Sequence, residues 1–157
     1  MEFYHDRFDF NDIRRHETLT PQHIMDVWQG LAAHELPWSA MPHDDRHGIM
    51  RPTIAALLDL SEGLFATARR QRIGVAAASH GSFRRAQGCA NRVIADDFML
   101  VRTALKLALV RRSVSESAAR QFVRCLLPDW RFARRAAAES FLSGPCWSPR
   151  ASDASPD

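Results

Sequence analysis

From Ile24 to Phe141 the large apolar residues return at intervals of three and four, and no stretch of four to eight alternating or β-branched residues reads as a strand. That period points to one fold class, all-α, and predicts a single-domain helical bundle of five or six helices. Thr20 followed by Pro21 marks a helix start: the hydroxyl serves as N-cap, and the proline takes the first helical position, where a missing N–H costs nothing. Ile24, Val27, Trp28 and Leu31 then trace one stripe. Pro37, Pro42, the polar run His43-Asp44-Asp45 and Gly48 predict a connecting loop, with a second helix starting at Pro52 and turning Ile54, Leu57 and Leu58 inward. Beyond Gly63, a weak point or a break, Ile73, Ala77, His80 and Arg84 fall at spacings of four, three and four. Two polar side chains therefore share an apolar face. Arg84 and Arg85 with Gly88 just beyond them form a helix C-terminus signal.

The strongest helix follows. Ile94, Phe98, Val101, Leu105 and Leu109 lie on one stripe, widened by Val93, Leu100, Ala104 and Ala108, which predicts a largely buried rod. Ser113 or Ser115 caps the last segment, where Phe122, Leu126, Ala133, Ala137 and Phe141 face inward. Pro128 within it predicts a kink or a split into two helices, because proline removes one backbone donor and disfavours helical geometry at Leu127.

At 157 residues the chain can bury a core without disulfides or metal. Its three cysteines, Cys89, Cys125 and Cys146, have no C-x-x-C spacing, and Cys89 and Cys125 read as small packing residues. No apolar window approaches the roughly 20 residues of a membrane span. The N-terminus, with Glu2, Asp6, Asp9 and Asp12 among aromatics, lacks a signal-peptide pattern, and the expected location is the cytoplasm. Three regions are predicted: an aromatic arm over 1–18 that docks on its own bundle or a second subunit, a bundle over 19–142, and a disordered tail over 143–157. Charge is two-ended, with 11 acids and 5 bases in residues 1–62 against 5 acids and 15 bases in residues 63–142. Only Lys106 is a lysine; the other 20 cations are arginines.

Signatures of common catalysts are missing: the chain contains no G-x-x-x-x-G-K-[ST], no G-x-G-x-x-G and no G-x-S-x-G. His43-Asp44-Asp45-Arg46-His47 gathers metal-ligand types, but lacks a third ligand at a defined spacing and reads as a solvated loop. His80 has several readings. It can be a satisfied core histidine, a sensing imidazole, a haem axial ligand, or the phosphoacceptor of a histidine phosphotransfer-like protein. The last lacks the His-x-x-Lys-Gly arrangement usual in such domains, since Arg84 is the basic residue that follows. The arginine excess raises nucleic acid as a partner, which the absence of any recognition-helix motif disfavours.

His80-Gly81-x-x-Arg84-x-x-x-Gly88, followed nine residues later by Asp97-Phe98-x-x-Val101-Arg102, resembles the N-terminal sensory domain of the RsbRD family, whose pattern is His-Gly-x-x-Arg-x-x-x-Gly and then Glu-Tyr-x-x-Leu-Arg. The likeness runs over roughly residues 19–142, and its specific part over 80–102. Ala90 stands where a capping serine is common, and Pro128 interrupts the last helix. The resemblance implies a bacterial, non-enzymatic signalling module without cofactor, acting through a separate protein partner and as a homodimer. The residues themselves predict a clasp: His80 and Arg84 share a face, Asp97 reaches Arg84 across the hairpin, Phe98 packs beneath, and Gly81 admits a neighbouring helix.

Overall fold

The computed structural model describes residues 19–35, 43–59, 66–112 and 114–143, with side chains described at 19–31, 50–59, 66–112 and 114–143. Among these residues the chain is all-α, with five helices: α1 (Pro21–Glu35), α2 (His43–Leu58), α3 (Thr67–Ala86), α4 (Val93–Arg111) and α5 (Glu116–Ser143). The aromatic arm, Gly63, Ser113 and the tail beyond Ser143 lie outside the described residues.

Local chemistry accounts for most of the boundaries. The Thr20 hydroxyl accepts the His23 N–H at 3.4 Å, and α1 begins at Pro21. At α5 the Ser115 hydroxyl accepts the Ala118 N–H at 3.1 Å, so Ser115 is the cap. The end of α3 is a full Schellman closure: Cys89 N–H returns to the Arg84 carbonyl at 3.2 Å and Gly88 N–H to that of Arg85 at 2.9 Å. Gly88 makes this possible with φ of 70°, a conformation that costs an L-residue about 1–2 kcal/mol. Gly88→Ala is therefore expected to lower stability by about 1 kcal/mol, measurable by urea denaturation; an unchanged midpoint would show that the turn can close another way.

The expectation at Pro52 is corrected, and of the two outcomes expected at Pro128 the split does not occur. Residues 43–48 belong to α2, not to a loop, and Pro52 lies inside that helix instead of starting it. Pro128 does not divide the last helix, which runs as one element of 28 residues. A proline forfeits one i→i−4 hydrogen bond; flanking turns that bury Ile54 and Leu57 in α2, or Leu126 and Ala133 in α5, offset that loss through tertiary packing.

The core is continuous across all five helices. Trp28 of α1, Met50 and Ile54 of α2, Ile73 of α3, Phe98 of α4 and Leu126 of α5 are all fully buried. Each such side chain contributes about 1.5–3 kcal/mol of transfer free energy. Consecutive helices are not always the closest neighbours. α3 packs chiefly on α5 and α4 on α1, while α3 and α4 touch sparingly. Arg69 meets Asp129, Ser82 bonds Ser140 at 2.6 Å, and Arg85 donates to the Phe141 and Leu142 carbonyls at 3.1 and 2.8 Å. Numbers rise together along both helices, so α3 and α5 run in the same direction, and Arg85 supplies donors that the last carbonyls of α5 lack.

Candidate functional site

The turn at Gly88 folds the end of α3 back towards the start of α4, bringing three buried polar side chains together. Arg84 approaches Asp97 side-on, with Nε donating to Oδ2 at 3.0 Å and Nη2 to Oδ1 at 3.4 Å. His80, one turn earlier on α3, donates from Nε2 to the same Oδ2 at 2.7 Å. The remaining Arg84 nitrogen, Nη1, donates to Gln87 Oε1 at 3.0 Å. The side chains of His80, Arg84 and Asp97 are wholly removed from solvent. Beneath them Phe98 meets the His80 ring edge-on at 6.0 Å between centroids and Trp130 at 5.7 Å, the orientation that aromatic quadrupoles favour.

Burial sets the charge state of the imidazole. Desolvation pushes the His80 pKa below its ordinary 6.5; the Asp97 hydrogen bond and charge oppose this, and the Arg84 charge reinforces it. The geometry supports that direction. With the proton on Nε2 facing Asp97, Nδ1 is buried with no hydrogen-bond partner among the described residues. Protonating it would create a donor with nothing to receive it. Because the folded value lies below the unfolded one, the unfolded chain takes up the proton first, and stability falls as pH drops below 6.5. His80→Gln, which keeps a donor for Asp97, is expected to flatten the decline in melting temperature between pH 7 and 5.5. Parallel profiles for the two proteins would remove His80 as the cause.

Of the residues singled out in the sequence, His80, Arg84, Asp97 and Phe98 meet in one cluster. Gly81 faces α5: a Cβ there would lie 2.0 Å from the Ala137 carbonyl oxygen. Gly88 shapes the corner from outside the cluster, on the exposed turn. Arg102 is the exception, exposed on α4 and outside the hydrogen bonds that join His80, Arg84 and Asp97. Five residues past Asp97 is about 140° around a helix, which turns its side chain away. The clasp closes a corner; α3 and α4 diverge from it instead of packing along their length.

A second buried ion pair escaped the sequence reading. Arg69, fully buried, bonds Asp129 and donates to the Asp59 carbonyl at 2.9 Å and the Leu57 carbonyl at 2.6 Å. It ties the start of α3 to the end of α2 and the middle of α5. The signal was present, because the spacing of Ile73, Ala77, His80 and Arg84 carried back one turn reaches Arg69. Asp129 likewise falls on the stripe of Phe122, Leu126 and Ala133.

Cys89 and Cys125 are half-buried free thiols, and Cys89 packs on the core as expected of a small apolar residue. Among the described residues no three metal-ligand side chains gather, and no helix is long and apolar enough to cross a membrane. The side chains of His43 to His47 lie outside the described residues. Compared with protein-family models, with curated proteins and with solved structures, the chain matches none.

Proposed function

We propose that this chain is a non-enzymatic regulatory module of the kind its resemblance to the RsbRD sensory domain implies, working through contacts with a protein partner. One observation carries the reading: the polar core of the motif that bears the resemblance, His80, Arg84 and Asp97, is sealed from solvent. Its imidazole, guanidinium and carboxylate are spent on one another, and His80 is 1% exposed while Arg84 and Asp97 are fully buried. Groups so placed hold two helices at a corner; a substrate has no surface from which to reach them. A phosphoryl donor faces the same barrier at His80, which makes phosphotransfer the weaker reading. A bundle whose helices are registered by buried polar contacts has discrete packings, and a partner can favour one of them.

The test is in-cell crosslinking followed by purification of the tagged chain. Recovery with one signalling protein at a fixed ratio is expected, together with a light-scattering mass of twice 17.8 kDa for the isolated protein. Transfer of a labelled phosphoryl group that His80→Gln abolishes would overturn the reading.

A further inference from the structure

We propose that the groove between α3, the first turn of α4 and the second half of α5 binds a small ligand carrying adjacent phosphates. The groove has a volume of about 540 Å³ and is lined by Arg70, Arg92, Arg131, Arg134 and Arg135, with no acidic residue among its walls. Such a volume falls within the roughly 300–1,000 Å³ of small-molecule sites.

The basic walls stand on an apolar base. Arg70 lies with its guanidinium carbon 4.6 Å from the centre of the Phe132 ring, and Arg135 at 5.7 Å. Stacking of this kind uses the face of a guanidinium and not its edge donors. Arg70 Nε is buried without a hydrogen-bond partner among the described residues. Arg92, Arg131 and Arg134 are exposed and form no ion pair among the described residues. Asp129 is committed to Arg69 and Asp97 to Arg84, while Asp96 in the first turn of α4 and Glu139 one turn past Arg135 lie outside the lining. The chain therefore concentrates positive charge in one concavity whose lining holds no carboxylate. α4 adds to this, since its N-terminus at Arg92 has no side-chain cap among the described residues and carries partial positive charge, offset in part by Asp96 in its first turn.

Chemistry selects the ligand class. A terminal phosphate brings about 1.5–2 negative charges and each internal one about one, with several acceptor oxygens, and arginine forks engage them bidentately. Two or three phosphates in a row match five guanidiniums around one cavity. An acidic peptide spreads single charges at about 3.3 Å per residue with alternate side chains pointing away, and a nucleic-acid track asks for cations continuing along a path. The phosphates can belong to a nucleotide or to inorganic polyphosphate, and the shared feature is the phosphate chain. This inference stands independently of the regulatory reading.

Calorimetric titration of the full chain with inorganic tripolyphosphate tests it. Binding is expected to be at least tenfold tighter than for orthophosphate, to weaken with salt, and to fall at least about tenfold with either Arg131→Ala or Arg134→Ala. Both substituted side chains are exposed, so circular dichroism should show an unchanged fold. A nucleoside triphosphate that binds still more tightly would support the site and add a base contact. Tripolyphosphate binding no better than orthophosphate, or equal binding by both variants, would overturn the proposal. So would binding of poly-glutamate or single-stranded DNA with tripolyphosphate silent.

Discussion

With Arg84 replaced by alanine, the protein is expected to lose about 3–5 kcal/mol of stability, the usual cost of removing one partner of a buried ion pair. Asp97 would keep one donor, His80 Nε2, and lose the two from Arg84 while fully buried. Domains of this size are stable by only about 5–15 kcal/mol, so a large part of the folded population is at stake. Urea denaturation read by circular dichroism measures the loss. The companion variant, Arg84→Met with Asp97→Leu, removes both charges and is expected to recover part of it, because the uncompensated carboxylate is gone while His80 Nε2 loses its acceptor. A single variant as stable as the parent would mean that the pair does not hold the corner. A double variant no better than the single would assign the loss to packing volume and to the orphaned His80 imidazole.

Gly81→Ala is the second large effect, and its sign discriminates well. In an unconstrained helix interior this change would stabilise by about 1 kcal/mol. Here the added methyl would sit 2.0 Å from the Ala137 oxygen, 2.8 Å from its carbonyl carbon and 3.0 Å from its Cα. All three are backbone atoms that no rotamer change can move. α3 and α5 must separate by more than an ångström, loosening Ala77 and Ala133 and stretching the 2.6 Å Ser82–Ser140 hydrogen bond. A loss of about 3 kcal/mol or more is expected, read as a lower thermal midpoint. Ala137→Gly added to it should not restore stability, since the obstructing oxygen remains. A stabilised Gly81→Ala protein would show that the helices do not approach this closely.

These two sites share a logic. α3 is pinned at its start by Arg69 to α2 and α5, near its end by Arg84 to α4, and between them by the close approach at Gly81. Buried ion pairs add little net stability over an apolar core but penalise misalignment heavily. A helix held in this way keeps one register against three neighbours, which suits a module whose output depends on how its helices pack.

What was legible in the sequence follows from the range of the forces involved. The rod of α4 announced itself because every turn repeats the same apolar face. The caps at Thr20 and Ser115 and the closure at Gly88 depend on hydrogen bonds spanning a few residues. His80, Arg84 and Asp97 could be brought together on paper because one short turn separates their helices. Pro52, and the split expected at Pro128, misled for the opposite reason: the local penalty is real, yet packing of distant side chains outweighs it. Arg69 and Asp129 are 60 residues apart, Gly81 and Ala137 nearly as far, and the arginines of the groove come from three separate segments. Helical period and end chemistry were thus settled by neighbours along the chain. Which helix lies beside which, and hence where buried charge pairs and where positive charge collects, was decided only when the rods packed, because apolar stripes attract any apolar partner and carry no address.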